Sequence, residues 1–266
     1  MKKILTLALI LLGNAALAAG PELPTLTNQE LEDVGNEFAV NLSHTAVAAP
    51  ETNGLWGVEV GIVGGRTGSP ELSDVVDRAG EDGSDFKNIY HAGLMARAHG
   101  PFELFAEMTV LPEREISDIT IGNRTFGVGW NAGGFFNLPL DVAIGANISN
   151  SNIEFEQIIN NASTSNTDVN SKVTFDAKTK IYWVGVSKTF LFVTPYLKLG
   201  KATSEAEIDT SVGSILGSGQ QSDDVSVDGN FFAAGANVQL LLLRLGVEVS
   251  KTNDVSRASA KLSLAF

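Results

Sequence analysis

One pattern constrains this chain more than any other. From Gly54 to the C-terminus, apolar residues recur at every second position in segment after segment. Trp56, Val58, Val60 and Ile62 alternate with Gly57, Glu59 and Gly61. Phe102, Leu104, Ala106, Met108 and Val110 alternate with Glu103, Phe105, Glu107 and Thr109. Leu245, Val247 and Val249 alternate with Arg244, Gly246, Glu248 and Ser250. The same parity runs through 90–97, 126–131, 142–149, 182–187, 195–200, 232–239 and 258–266. Period two is the signature of a β-strand, whose side chains point alternately to opposite faces. The segments make about ten strands, each near the ~9–11 residues that a tilted strand needs to cross a bilayer.

A soluble β-sandwich also alternates, but its second face is charged because it meets water. Here the second face is mostly Gly, Ala, Ser and Asn, and charged residues make up only 18% of the chain against 44% hydrophobic. Soluble domains carry ~25% charge. The longest apolar stretch, Phe231 to Val249, could pass for a membrane helix, yet Asn237, Gln239, Arg244 and Glu248 fall in it at strand parity. The connections alternate as well. Gly100-Pro101, Asn137-Leu138-Pro139, 191–194 and 240–243 are tight and apolar; 65–88, 112–124, 150–172 and 203–229 are long and polar, and 251–256 is short. Short turns at one end and long loops at the other are the plan of a membrane barrel. The expected fold is an all-β, transmembrane, antiparallel up-and-down barrel of about ten strands with a short N-terminal helical segment.

The N-terminus carries an export signal. Lys2 and Lys3 precede the apolar run Ile4–Leu12, and Ala16-Leu17-Ala18 is an A-x-A cleavage site. Removing residues 1–18 leaves 16 bases against 31 acids, a charge of −15. With no cysteine there are no disulfides, no thiolate catalysis and no Cys-based zinc site. Residues 19–53 form a second region, a periplasmic or plug segment in which Leu31, Val34, Phe38 and Leu42 lie on one helical face over 28–43. Residues 54–266 are the barrel.

A signal peptide, alternating strands and a last strand ending in an aromatic, Ala258–Phe266, resemble Gram-negative outer-membrane β-barrel proteins. Two stretches, 42–47 leading into 54–61 and 187–190 leading into 194–200, are similar to one functionally uncharacterised proteobacterial group of such barrels. The resemblance implies an outer-membrane location and contact with outer-membrane lipid and lipopolysaccharide. It also implies that Phe266 is the assembly signal read by the barrel-insertion machinery. It brings no catalytic residue, substrate or cofactor.

Strand parity assigns a charged set to the lumen: Glu59, Arg97, Glu103, Glu107, Lys198, Arg244, Glu248 and Lys261. Buried charges must pair or meet water, so the set is either a structural network filling the barrel or the lining of a pore. The lumen glycines either relieve curvature or leave room for a plug. The expected function is a small passive channel or a ligand-binding barrel. The alternative is a non-conducting structural or surface-interaction barrel, and a third reading is a rim hydrolase built on His91, the histidine that faces inward at a strand's outer end. The chain is read as a monomer and not as an enzyme, with no cofactor and no metal. A net charge of −13 excludes a nucleic-acid partner, which needs clustered Lys and Arg.

Overall fold

A computed structural model describes residues 56–78, 84, 87–116, 119–160, 168–212 and 219–266, together with Glu37, Val40, Ser43 and 46–51. The signal peptide lies outside the described residues, as does the expected helix over 28–43 apart from three of its positions.

Ten strands follow one another: β1 (Gly57–Gly68), β2 (Asn88–His99), β3 (Leu104–Ile116), β4 (Ile119–Asn131), β5 (Asp141–Asn160), β6 (Asp168–Ser187), β7 (Val193–Val212), β8 (Gly219–Leu240), β9 (Leu243–Thr252) and β10 (Val255–Ala265). Each pairs antiparallel with its sequence neighbours, and β1 pairs with β10 to close the barrel. Beyond β10, Phe266 exchanges two backbone hydrogen bonds with Val58, at 2.8 and 3.0 Å. Closure leaves no free edge around the ring, which lipid requires of any spanning sheet.

The wall is inside out relative to a soluble barrel. In β9 the exposed residues are Leu243, Leu245, Val247, Val249 and Lys251, while Arg244, Gly246, Glu248, Ser250 and Thr252 are buried. On β1, Val58, Val60 and Ile62 face out and Glu59 and Val63 face in. An apolar exterior around a polar interior is stable only when the solvent outside is lipid. From Leu243 to Val249 the belt spans ~20 Å along the strand at ~3.4 Å per residue. The turns add to it. Leu191 and Leu241, at two turn tips, are 94% and 93% exposed, and both take left-handed backbone, φ 58° and 57°. Trp130, Phe135 and Phe136 pack edge to face at the same end, and Trp130 donates to the Phe102 carbonyl. Aromatic side chains with a polar tip are the usual anchors at a membrane interface.

Two expectations are corrected. The regions 112–124, 150–172 and 203–229, read as polar loops, are largely strand: β3 and β4 reach Ile116 and Ile119, β5 and β8 reach Asn160 and Gly219, and β6 and β7 reach Asp168 and Val212. These extensions rise beyond the apolar belt, and their outward residues are Asp176, Lys178, Glu205 and Glu207. The apolar alternation that marks a strand in lipid is therefore missing there. A short helix, α1 (Pro70–Arg78), occupies part of 65–88. At the tight-turn end, residues 101–103 form a 3-10 turn, and α2 (Ala132–Phe135) precedes the turn expected at 137–139. Glu103 belongs to that 3-10 turn. It is not a strand residue facing the lumen, because Phe102 and Glu103 take positive φ (63° and 62°) and break the strand's parity.

Candidate functional site in the barrel lumen

Seven of the eight expected lumen charges face inward and are buried: Glu59, Arg97, Glu107, Lys198, Arg244, Glu248 and Lys261. The eighth, Glu103, sits at the tight-turn mouth. There partial burial, and then the nearby Asp141 carboxylate, push its carboxyl above the usual range. Arg257 also belongs to the interior. It shares parity with Ser259 and Lys261, but it precedes the stretch whose apolar alternation marks the last strand, so the pattern did not reach it.

These groups form three connected sets. Glu59 on β1 accepts from Lys261 Nζ at 2.6 Å, from Ser263 Oγ at 2.6 Å and from Arg244 Nη1 at 3.1 Å. Arg244 also donates to Gln239 Oε1 at 3.0 Å. One carboxylate thereby ties β1 to β10 across the closing seam and to β9. In the second set Glu248 accepts from Tyr196 Oη at 2.8 Å and pairs with Lys198 at 3.6 Å. The Lys198 ammonium lies 5.2 Å from both the Trp183 and Tyr196 rings. In the third, Trp183 Nε1 donates to Asn147 at 2.7 Å and Asn147 donates to Glu107 at 2.8 Å. The Arg97 guanidinium lies over the Phe105 ring at 4.4 Å.

The glycines have a specific job. A Cβ on Gly129 would fall 2.2 Å from Phe105, on Gly145 2.4 Å from Trp183, on Gly235 2.5 Å from Tyr196, and on Gly57 2.2 Å from His99. In every case the aromatic residue is the glycine's direct cross-strand partner. Each ring reaches over the bare backbone opposite it. His91 fits the same rule, with Gly65 as its register partner and its imidazole over that glycine. The residue considered for rim catalysis is thus packed against the wall.

The remaining interior is met by the chain's own N-terminal segment. Arg97 donates to the carbonyls of Ala49 (2.9 Å) and Glu51 (3.1 Å). Arg257 donates to the carbonyls of Ser43 and Val40. Ala46, Val47 and Ala48 form one buried cluster with Val63 on β1 and Met95 on β2. Thr189 donates to the Glu51 carboxylate at 3.0 Å. Among the described residues, the buried charges of the wall are three acids (Glu59, Glu107, Glu248) and five bases (Arg97, Lys198, Arg244, Arg257, Lys261). The segment brings two buried acids, Glu37 and Glu51. Five then face five, and a buried charge set is tolerable only when it is compensated.

Compared by sequence, the chain matches no family model and no curated protein. Among solved structures it is similar to the attachment invasion locus protein Ail of Yersinia pestis (13% identity, 81% of this chain and 100% of that one, TM-score 0.34). It is also similar to the translocator domain of the autotransporter NalP of Neisseria meningitidis (10%, 94% and 99%, TM-score 0.42). A third is the outer membrane protease OmpT of Escherichia coli (8%, 82% and 100%, TM-score 0.31). The barrel assignment rests on the strand pairing of this chain itself.

Proposed function

We propose that the protein is an integral outer-membrane barrel of a Gram-negative bacterium, with its tight turns toward the periplasm, and that its resting state is closed by the N-terminal segment that carries Glu37, Val40, Ser43 and residues 46–51. The observation that carries this reading is the grip of Arg97 and Arg257 on four backbone carbonyls of that segment. Guanidinium groups buried in the wall have the segment's backbone carbonyls as acceptors, which spares them the cost of a buried, unmet donor. The geometry favours the non-conducting alternative over an open passive channel. The export signal read from the sequence, the inside-out wall and the apolar turns support the location.

Because the chain has no cysteine, single-cysteine labelling tests location and closure together. In intact cells, Ser84→Cys, exposed at the long-loop end, is expected to react with a membrane-impermeant maleimide. Ala49→Cys, at a position 0% exposed, is expected to stay protected until the protein is denatured. Equal labelling of the two would remove the closed lumen. Protection of both would remove the assigned orientation.

A further inference from the structure

The described residues of the N-terminal segment meet the wall at successive levels of the lumen. At the long-loop end, Arg257 donates to the carbonyls of Val40 and Ser43. Arg257 pairs in register with Ser250 on β9 and Thr67 on β1, just past Val249, where the exposed apolar residues of β9 stop. At mid-height, Ala46, Val47 and Ala48 cluster with Val63 and Met95. Toward the tight turns, the Ala49 and Glu51 carbonyls accept from Arg97, two residues from the end of β2. A Cβ on Gly185, two residues from the end of β6, would fall 3.2 Å from Pro50. Thr189, in the β6–β7 turn itself, donates to the Glu51 carboxylate. Trp56 lies beside Gly100 in the β2–β3 turn, and β1 starts at the next residue. Read from Glu51 back to Val40, the chain therefore climbs the whole apolar belt, from the tight-turn end to the long-loop end.

We infer that residues 19–36, which precede this climb, pass out through the long-loop mouth. The lumen then serves as the exit path of the chain's own N-terminal segment, and the barrel displays that segment at the cell surface. Two independent observations carry the inference. The first is direction. Val40 and Ser43 are held at the outer end of the lumen, so the residues before them start from the outside of the membrane. The second is charge. Residues 19–36 hold Glu22, Glu30, Glu32 and Asp33 and no base. Among the described residues, five buried acids already face five buried bases in the lumen. A return to the periplasm through the lumen would bury four further carboxylates with no cation left to meet them. Uncompensated buried charge is strongly unfavourable, whereas beyond the outer mouth water solvates the same groups.

The inference rests on the orientation proposed above, and single-cysteine variants of the full-length chain separate the two. Thr25→Cys and Lys188→Cys, the latter exposed at the tight-turn end, are labelled in intact cells beside Ser84→Cys with the same impermeant maleimide. Thr25→Cys is expected to take up label as Ser84→Cys does, at least tenfold more than Lys188→Cys, which should react only once the outer membrane is permeabilised. Labelling of Thr25→Cys that follows Lys188→Cys puts the segment in the periplasm and overturns the inference. Labelling that appears only on denaturation, as expected of Ala49→Cys, keeps the segment inside the lumen and also overturns it. Protection of Ser84→Cys with labelling of Lys188→Cys in intact cells overturns the orientation, and the outward display with it. The natural protein gives a second reading that needs no substitution. A glutamate-specific protease added to intact cells is expected to release N-terminal peptides ending at Glu22, Glu30 or Glu32. Their release only after permeabilisation overturns the inference.

Discussion

Glu59→Ala is expected to lower the unfolding free energy by about 3–5 kcal/mol, the range found when one partner of a buried ion pair is removed. Glu59 accepts three hydrogen bonds, from Lys261, Ser263 and Arg244, and all four residues are buried. Deleting the carboxylate leaves two cations facing each other in the lumen with nothing between them. The damage falls on the seam where β1 meets β10, the contact that closes the barrel. Urea unfolding in lipid vesicles measures the loss. Glu59→Gln keeps the shape but not the charge and is expected to fall between Ala and the natural residue. The double variant Glu59→Ala/Lys261→Met removes one of the stranded charges and is expected to recover part of the loss. A cost below about 1 kcal/mol, typical of exposed pairs, would mean that water reaches this cluster freely.

Trp183→Ala is expected to cost a similar ~3–5 kcal/mol, the usual loss for truncating a buried aromatic. Trp183 is 5% exposed, stacks on Phe105 with ring centroids 6.2 Å apart, and donates to Asn147. Its partner Gly145 gives the sharper test. A methyl group there would lie 2.4 Å from the Trp183 ring, so Gly145→Ala is expected to cost about 1–3 kcal/mol by overpacking. In the Trp183→Ala background the same change should cost clearly less, since the ring is gone and only the 3.0 Å approach to the Val128 carbonyl oxygen remains. Residues in direct contact are non-additive in this way. Additive costs would show that glycine is needed at 145 for backbone conformation and not for the ring.

Much of this was legible in the sequence, and the exceptions share physical causes. Strand number, order of turns and the inward parity of Glu59, Arg97, Glu107, Lys198, Arg244, Glu248 and Lys261 follow from a period-two pattern, which lipid enforces by penalising any polar residue on its side. Beyond the belt that penalty disappears. Asp176, Lys178, Glu205 and Glu207 are then as acceptable as valine, and the strand extensions read as loops. The tight turns at 191–194 and 240–243 were legible as apolar breaks between strands, without the usual turn residues. Leu191 and Leu241 occupy left-handed positions that Gly or Asn would fill in water, because a turn at a membrane surface gains more from an apolar side chain. Trp183 and Ile181 are large apolar residues on the inner face, and a rule of apolar outside and polar inside has no place for them. They become intelligible once register is known, because Trp183 lies opposite Gly145. The partners that Arg97 and Arg257 find in the N-terminal segment are backbone carbonyls, which leave no trace in side-chain chemistry.

The closed lumen is tested most directly by planar-bilayer recording on the full-length protein beside a variant lacking residues 19–51. Full-length protein is expected to show no steady conductance. The truncated protein is expected to show discrete openings that favour anions, because removing Glu37 and Glu51 leaves the wall with five buried bases against three acids. Steady conductance from the full-length protein, equal to that of the truncated one, would contradict closure by the N-terminal segment.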